Sequence, residues 1–179
     1  MNEMFLPPPF ALRKMSLADL DGVLAVDRRS FPTPAKRAMF VHELNQNPLA
    51  HYQVLTRMES IADRVIGFSG YWLIGDEQHI STIAVHPDWR RRGWGKLLLL
   101  NMLLLAFKQP ITLSTLEVRR SNTTAQALYG KYRFAVVGER KGYYKDTGDD
   151  AILMTAAPLD APYFQFLQER QAELMGRLG

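Results

Sequence analysis

Between His79 and Tyr129 the chain runs through four elements in succession, and the remaining residues have to be accommodated around them. His79 to Val85 is an apolar, β-branched stretch of strand length. A turn holding Arg90, Arg91, Arg92, Gly93 and Gly95 follows, and then a strongly apolar helix from Leu97 to Phe107. After Pro110 a second strand ends in Glu117, and a second helix carries Tyr129. This order describes a βαβα unit whose first turn can cradle a phosphate.

The cradle follows from local chemistry. The first N–H groups of a helix lack intrahelical partners and carry partial positive charge, so a helix start attracts anions. Gly93 and Gly95 have no Cβ, which lets an anion approach the backbone. Arg90, Arg91, Arg92 and Lys96 surround the turn with charge, and Trp94 lies between the two glycines. A pyrophosphate suits such a turn. Two other phosphate motifs fail on these letters. A P-loop requires Gly where the chain has Arg90 and Ser or Thr where it has Leu97. A dinucleotide fingerprint requires a third glycine at Leu98. An ordinary strand-to-helix turn with solvated arginines is the other reading of the same residues.

Arg90-Arg91-Arg92-Gly93-Trp94-Gly95 matches the R/Q-x-x-G-x-G/A signature of the GNAT superfamily of N-acetyltransferases. Ile83 to Pro87 resembles that family's fourth strand. Leu116-Glu117-Val118-Arg119, with Ser121-Asn122 and Ala127-Leu128-Tyr129, resembles its fifth strand and following helix. In detail the set is similar to the RimI-like branch, and the similarity runs from about Ala11 to Ala156. The resemblance implies acetyl-CoA as co-substrate and a protein N-terminal amine as acceptor, with the N-terminal alanine of a ribosomal protein foremost.

The 179 residues suit one domain, and 47% hydrophobic with 22% charged residues is the balance of a globular protein. With no cysteine, disulfides and thiolate metal sites are excluded. His42, His51, His79 and His86 lack metal-ligand spacing, so no metal is expected. The apolar run Leu97–Phe107 is about half the ~20 residues that span a bilayer, so a buried helix is expected and no membrane partner. The first residues lack the basic and apolar regions of a secretory signal, which points to the cytoplasm. A net charge of +4 is too modest to argue for nucleic-acid binding.

Taken in order, residues 1–9, with Pro7, Pro8 and Pro9, are expected to be a flexible arm. Phe10 to Lys14 reads as a strand, and Ser16 with Asp19 as a capping box for a helix ending near Arg29. Phe31 to Pro34 breaks that helix, and Lys36 to Asn45 reads as another. Tyr52–Met58 and Val65–Ile74 alternate as strands. Phe134–Arg140 and Ala151–Thr155 complete the set, with Gly142-Tyr143-Tyr144 in the loop between them. The expected architecture is α/β (α+β): a GNAT-like, mixed and mostly antiparallel sheet with helices on both faces over residues 10–157. An amphipathic helix is added over residues 158–179.

Acetyl transfer to an amine requires a held donor, a neutral amine, a stabilised oxyanion and a proton for the departing thiolate. Glu117 lies at a strand end, where ligands of α/β sheets gather. Its match to the RimI-like pattern makes it the candidate general base, although pairing with Arg119 is the alternative. The resemblance assigns Tyr129 as proton donor to sulfur and Asn122 as a cofactor contact. Backbone N–H groups around Ile83, Ala84 and Val85 meet the oxyanion and the cofactor, and Tyr143 and Tyr144 contact the acceptor. The segment containing Phe31 lines the acceptor groove in that family, where Thr33 replaces the usual aromatic. A small-molecule amine or lysine as acceptor, or a CoA-binding module without turnover, are the rival readings.

Overall fold

The computed structural model describes residues 4, 6–59 and 63–178. Seven strands form one sheet in the order β1-β2-β3-β4-β5-β7-β6. They are β1 (Phe10–Lys14), β2 (Ala50–Arg57), β3 (Arg64–Ile74), β4 (Glu77–Val85), β5 (Leu113–Arg119), β6 (Ala135–Tyr144) and β7 (Asp149–Ala156). All pairings are antiparallel except β4 with β5. Helices α1 (Leu20–Ser30) and α2 (Arg37–Asn45) cover one face, while α3 (Trp94–Ala106), α4 (Thr123–Gly130) and α5 (Ala161–Leu178) cover the other. The expected mixed sheet with helices on both faces is therefore present.

Alternation along the central strands divides the core in two. Val54, Val65 and Phe68 point toward α1 and α2, where they meet Leu20, Val23 and Phe40. Leu55 and Ile66 point the other way, toward α3. That helix has four successive fully buried leucines, Leu97 to Leu100, followed by Met102 and Leu103. Being apolar all round, it must be covered on its far side, and α5 does this with Tyr163, Leu167 and Leu174. The Tyr163 hydroxyl donates to the Tyr132 carbonyl at 2.7 Å, fixing α5 against the end of α4.

The capping box forms as read, with Asp19 accepting from the Ser16 backbone at 2.8 Å and from Arg13 at 2.7 Å. Those donors hold the Asp19 carboxyl down at about 2, the Arg13 hydrogen bond foremost. Two expectations need correction. Gly142, Tyr143 and Tyr144 are not in a loop: β6 continues through Tyr144, with an irregular register between Arg140 and Tyr144 that accommodates Gly142 at φ 57°. Of the arm expected to be flexible, Met4 and Leu6 are buried in the larger core, because apolar side chains beside β1 find the α3 face open to them. Residues 1–3 and 5 of that arm lie outside the described residues.

The sheet opens where β4 and β5 meet. Their parallel pairing covers only Glu77–Ile80 against Leu113–Leu116. Beyond it, Thr82–Val85 pair only with β3 and Glu117–Arg119 only with β7, so a wedge separates the two strands. A bulge places Ser81 as an extra residue between the Gly70–Thr82 and Tyr71–Ile80 pairs, which turns β4 aside. At the closed end Gln78, fully buried, donates to the Met102 carbonyl of α3 at 2.8 Å and accepts from Ser114 of β5 at 3.0 Å.

Because Leu167 is fully buried between α3 and α5, Leu167→Ala should cost about 2–5 kcal/mol in a urea titration. A single cooperative transition with a lowered midpoint is expected. Early, separate loss of helical signal would show α5 to be an independent appendage.

Candidate active site

The arginine turn joins the end of β4 to α3. Gly93 stands at the N-cap of α3 with φ 91°, and Arg91 also lies in the left-handed region at 62°. Left-handed residues interleaved with ordinary ones aim successive N–H groups into one concavity, which favours an anion. A non-glycine residue held at that φ costs on the order of 1 kcal/mol or more, and such strain concentrates at ligand sites. At Gly95 a Cβ would come no nearer than 3.7 Å to Leu128 of α4, so the space above the turn is open.

The cationic residues of the turn divide by task. Arg90 donates through Nε to the Val85 carbonyl at 2.9 Å and reaches Ser30 Oγ at 3.3 Å, so it ties β4 to α1. Arg92 donates to the Asp88 carbonyl at 3.2 Å and lies 4.9 Å over the Trp89 ring. Arg91 is exposed, and Lys96, half-buried, lies in the first turn of α3. The Trp94 ring turns into the core, 4.6 Å from Phe10, so it offers the turn only its backbone.

The wedge runs from this turn into the sheet. In paired strands alternate residues direct their N–H and C=O groups to opposite sides, so Thr82–Val85, including Ile83 and Ala84, leave backbone groups facing the gap. A slender chain can lie there and complete them. Across the gap Asn122 caps α4, accepting from the Ala125 N–H at 3.1 Å, which leaves its amide N–H groups available. Tyr129, further along α4, packs on Phe134 at 6.0 Å between centroids. Burial, with Tyr144 nearby, pushes its hydroxyl up to about 12.

Glu117 is on β5 on the face that carries α1 and α2. Its partner is not Arg119. Arg140 of β6 reaches across β7 and places Nη1 2.6 Å from the Glu117 carboxylate. A hydrogen bond to Glu117 is also what chiefly raises the Tyr143 hydroxyl above its ordinary range. Tyr143, 41% exposed, stands edge-on to Tyr144 at 5.2 Å. Arg119 lies 3.9 Å over the Tyr144 ring and grips Asp146 at 2.8 Å and 3.0 Å.

Asp146 also accepts from the Thr33 hydroxyl at 2.7 Å, so the connection between α1 and α2 is bridged to the β6–β7 hairpin. Arg119 and Thr33 hold the Asp146 carboxyl at about 2. Its folded value is depressed, so the bridge is charged above the ordinary carboxylate range and is lost only as pH falls through about 2. Phe31, half-buried, packs on the α1–α2 cluster beside this bridge. Buried Asp27 accepts from the Ala35 N–H at 2.6 Å and anchors the connection from below.

The structure thus brings Glu117, Tyr143 and Tyr144 together, and it gathers the arginine turn, Asn122 and the open edge of β4 around the wedge. Sequence reasoning missed Arg140 and the Thr33–Asp146 bridge. Both depend on β7 inserting between β5 and β6, which no spacing in the chain encodes.

Comparison with known proteins identifies the family. A sequence model of the acetyltransferase (GNAT) family matches residues 20–134. A Bacillus subtilis protein provisionally named as a ribosomal protein bS18-alanine N-acetyltransferase is 38% identical over 144 residues, covering 80% of this chain and 93% of that protein. The Escherichia coli ribosomal protein bS18-alanine N-acetyltransferase is 30% identical over 145 residues, covering 80% and 94%. The crystal structure of the Escherichia coli ribosomal-protein-S18-alanine N-acetyltransferase superposes with a TM-score of 0.73 at 27% identity, over 84% of this chain and 94% of that one. With a family model covering most of its length and relatives matched almost end to end, the chain belongs to the acetyltransferase (GNAT) family.

Proposed function

We propose that this acetyltransferase transfers the acetyl group of acetyl-CoA to the N-terminal α-amine of a protein, with an alanine-first ribosomal protein as the leading acceptor. The observation that carries this reading is the 38% identity over 80% of the chain to a protein named for that activity. The cofactor fit rests on the glycine turn and the wedge. Acetyl-CoA supplies an acetyl thioester, and the pyrophosphate suits the N–H groups from Gly93 to Lys96 with Arg91 alongside. Pantetheine suits the unpaired edge of β4, and Asn122 offers its amide from the opposite side.

The acceptor chemistry favours an α-amine over a lysine. With a pKa of about 7.7 to 8.0, an α-amine gives up its proton near neutral pH at a cost of about 1 kcal/mol; lysine, at about 10.4, costs roughly 4 to 5 kcal/mol. A carboxylate such as Glu117 suffices for the first task. Arg140 fixes the direction of that carboxylate, and the exposed face of Tyr143 lies beside it for the acceptor's first residue. N–H groups at Ile83 to Val85 donate to the thioester oxygen as negative charge develops there.

Tyr129 acts on the sulfur side. At about 12 its hydroxyl stays protonated at neutral pH. Tyr129 therefore has a proton to donate to the departing sulfur.

Short peptides differing at residue one, with free or blocked N-termini, should separate the acceptors when CoA release and peptide mass are followed. Acetylation confined to free N-termini and strongest with alanine is expected; acetylation of a blocked, lysine-containing peptide would reverse the assignment. Glu117→Gln should lower turnover about a hundredfold near pH 6.5 and less above pH 8.5, where the amine is already neutral. The same loss at every pH would remove Glu117 as base. Gly93→Val should weaken acetyl-CoA binding at least about tenfold, since a β-branched residue both resists φ 91° and crowds the anion. Unchanged affinity in a titration would refute the cradle.

A further inference from the structure

Next to the cradle, between α3, the end of α4 and α5, lies a second cleft of about 490 Å³. Its walls carry Lys96, Lys131, Arg170 and Arg177 against the single carboxylate of Glu173. Arg170 engages that carboxylate at 3.0 Å. Lys96, Lys131 and Arg177 form no ion pair among the described residues. Arg170 Nε is fully shielded and has no hydrogen-bond partner there, while its guanidinium lies 5.3 Å over Phe166. Three separate elements thus converge four cations on one hollow. Gathering four cations around one carboxylate is unfavourable, and a bound dianion offsets it.

The anchoring of α5 does not require these residues. Tyr163, Leu167 and Leu174 hold that helix to the core by apolar contact, and Lys131 and Arg177 are exposed. The packing of α5 does not account for their convergence, and an anion in the hollow would offset it. Lys96 identifies that anion, because this residue lies three positions after Gly93, in the first turn of α3, and also lines the cleft. The hollow begins where the pyrophosphate cradle ends. A ligand with a pyrophosphate in the cradle and a phosphomonoester one ribose away can occupy both. A phosphomonoester carries about −1.5 to −2 charges at pH 7, which matches the unpaired cations.

We propose that this cleft is a subsite for the 3′-phosphate of coenzyme A, completed by α5, an element outside the residues 20–134 that match the family model. The inference rests on the acetyl-CoA reading of the cradle. In it, Lys131 and Arg177 contact the phosphate, and Arg170 stiffens the wall through Phe166 and Glu173.

Calorimetric titration of the full chain with coenzyme A and with 3′-dephospho-coenzyme A tests this directly. The wild type should bind coenzyme A about tenfold or more tightly, the size of one or two charge-assisted hydrogen bonds. The exposed double variant Lys131→Gln, Arg177→Gln should lose that margin to within about twofold while its affinity for the dephospho form stays as in the wild type. Equal affinity of the wild type for both ligands overturns the subsite and leaves the cradle intact. Equal weakening of both ligands in the variant overturns it too, since it marks a diffuse field instead of a site. Binding of neither ligand overturns the subsite together with the acetyl-CoA reading.

Discussion

The buried contact among Gln78, Ser114 and the Met102 carbonyl is the constraint on which the active region depends. Parallel strands joined for four residue pairs and then separated would be prone to slip or to zip shut. Here a side-chain amide with no access to water binds both β5 and the backbone of α3 at the closed end. An unpaired amide or carbonyl in that position costs about 1–3 kcal/mol, so the register there is strongly specified. With the hinge of the wedge fixed, the Ser81 bulge and the Arg90–Val85 contact determine how β4 leaves it. The closed end of the wedge is held from inside the core.

The two walls of the site are built on opposite faces of the sheet, and their residues meet through the gap. The arginine turn, α3 and α4 supply backbone N–H groups, cations and Tyr129. β5, β6 and the α1–α2 connection supply Glu117, the tyrosine pair and the Thr33 bridge. α1 links the two sides: Ser30 touches Arg90, Arg29 lies 3.2 Å from buried His86, and Thr33 follows within a few residues. Arg90 therefore braces α1, and with it the connection that carries Thr33, against the end of β4.

Much of this was legible in the chain. Alternation located β2 and β3, Gly75 marked the turn after β3, and the apolar run Leu97–Phe107 announced a buried helix. The arginine turn lies where it was expected, between β4 and α3. What stayed hidden is tertiary in origin. Trp94 looked like part of the cradle because position in a turn does not say where a ring points, and Phe10 beside it decided that. Gly142 read as a loop residue because positive φ ends most strands, yet an irregular register lets β6 resume at Tyr144. Arg140 was invisible as the partner of Glu117 because the pair spans an intervening strand.

β6 is also the last strand of the sheet, so one row of its backbone groups faces outward. Such an edge is a template on which another copy of the chain can add a strand. Val136 and Val137, 61% and 64% exposed, would welcome that addition. The charged run Glu139, Arg140 and Lys141 follows, laced to Arg120 and Asp150, and two register irregularities break the line of the edge. The arginine that steadies Glu117 thus also belongs to the charged run that interrupts this edge. Neutral replacements along this strand act on colloidal behaviour as well as on chemistry, and selection on either property constrains the other.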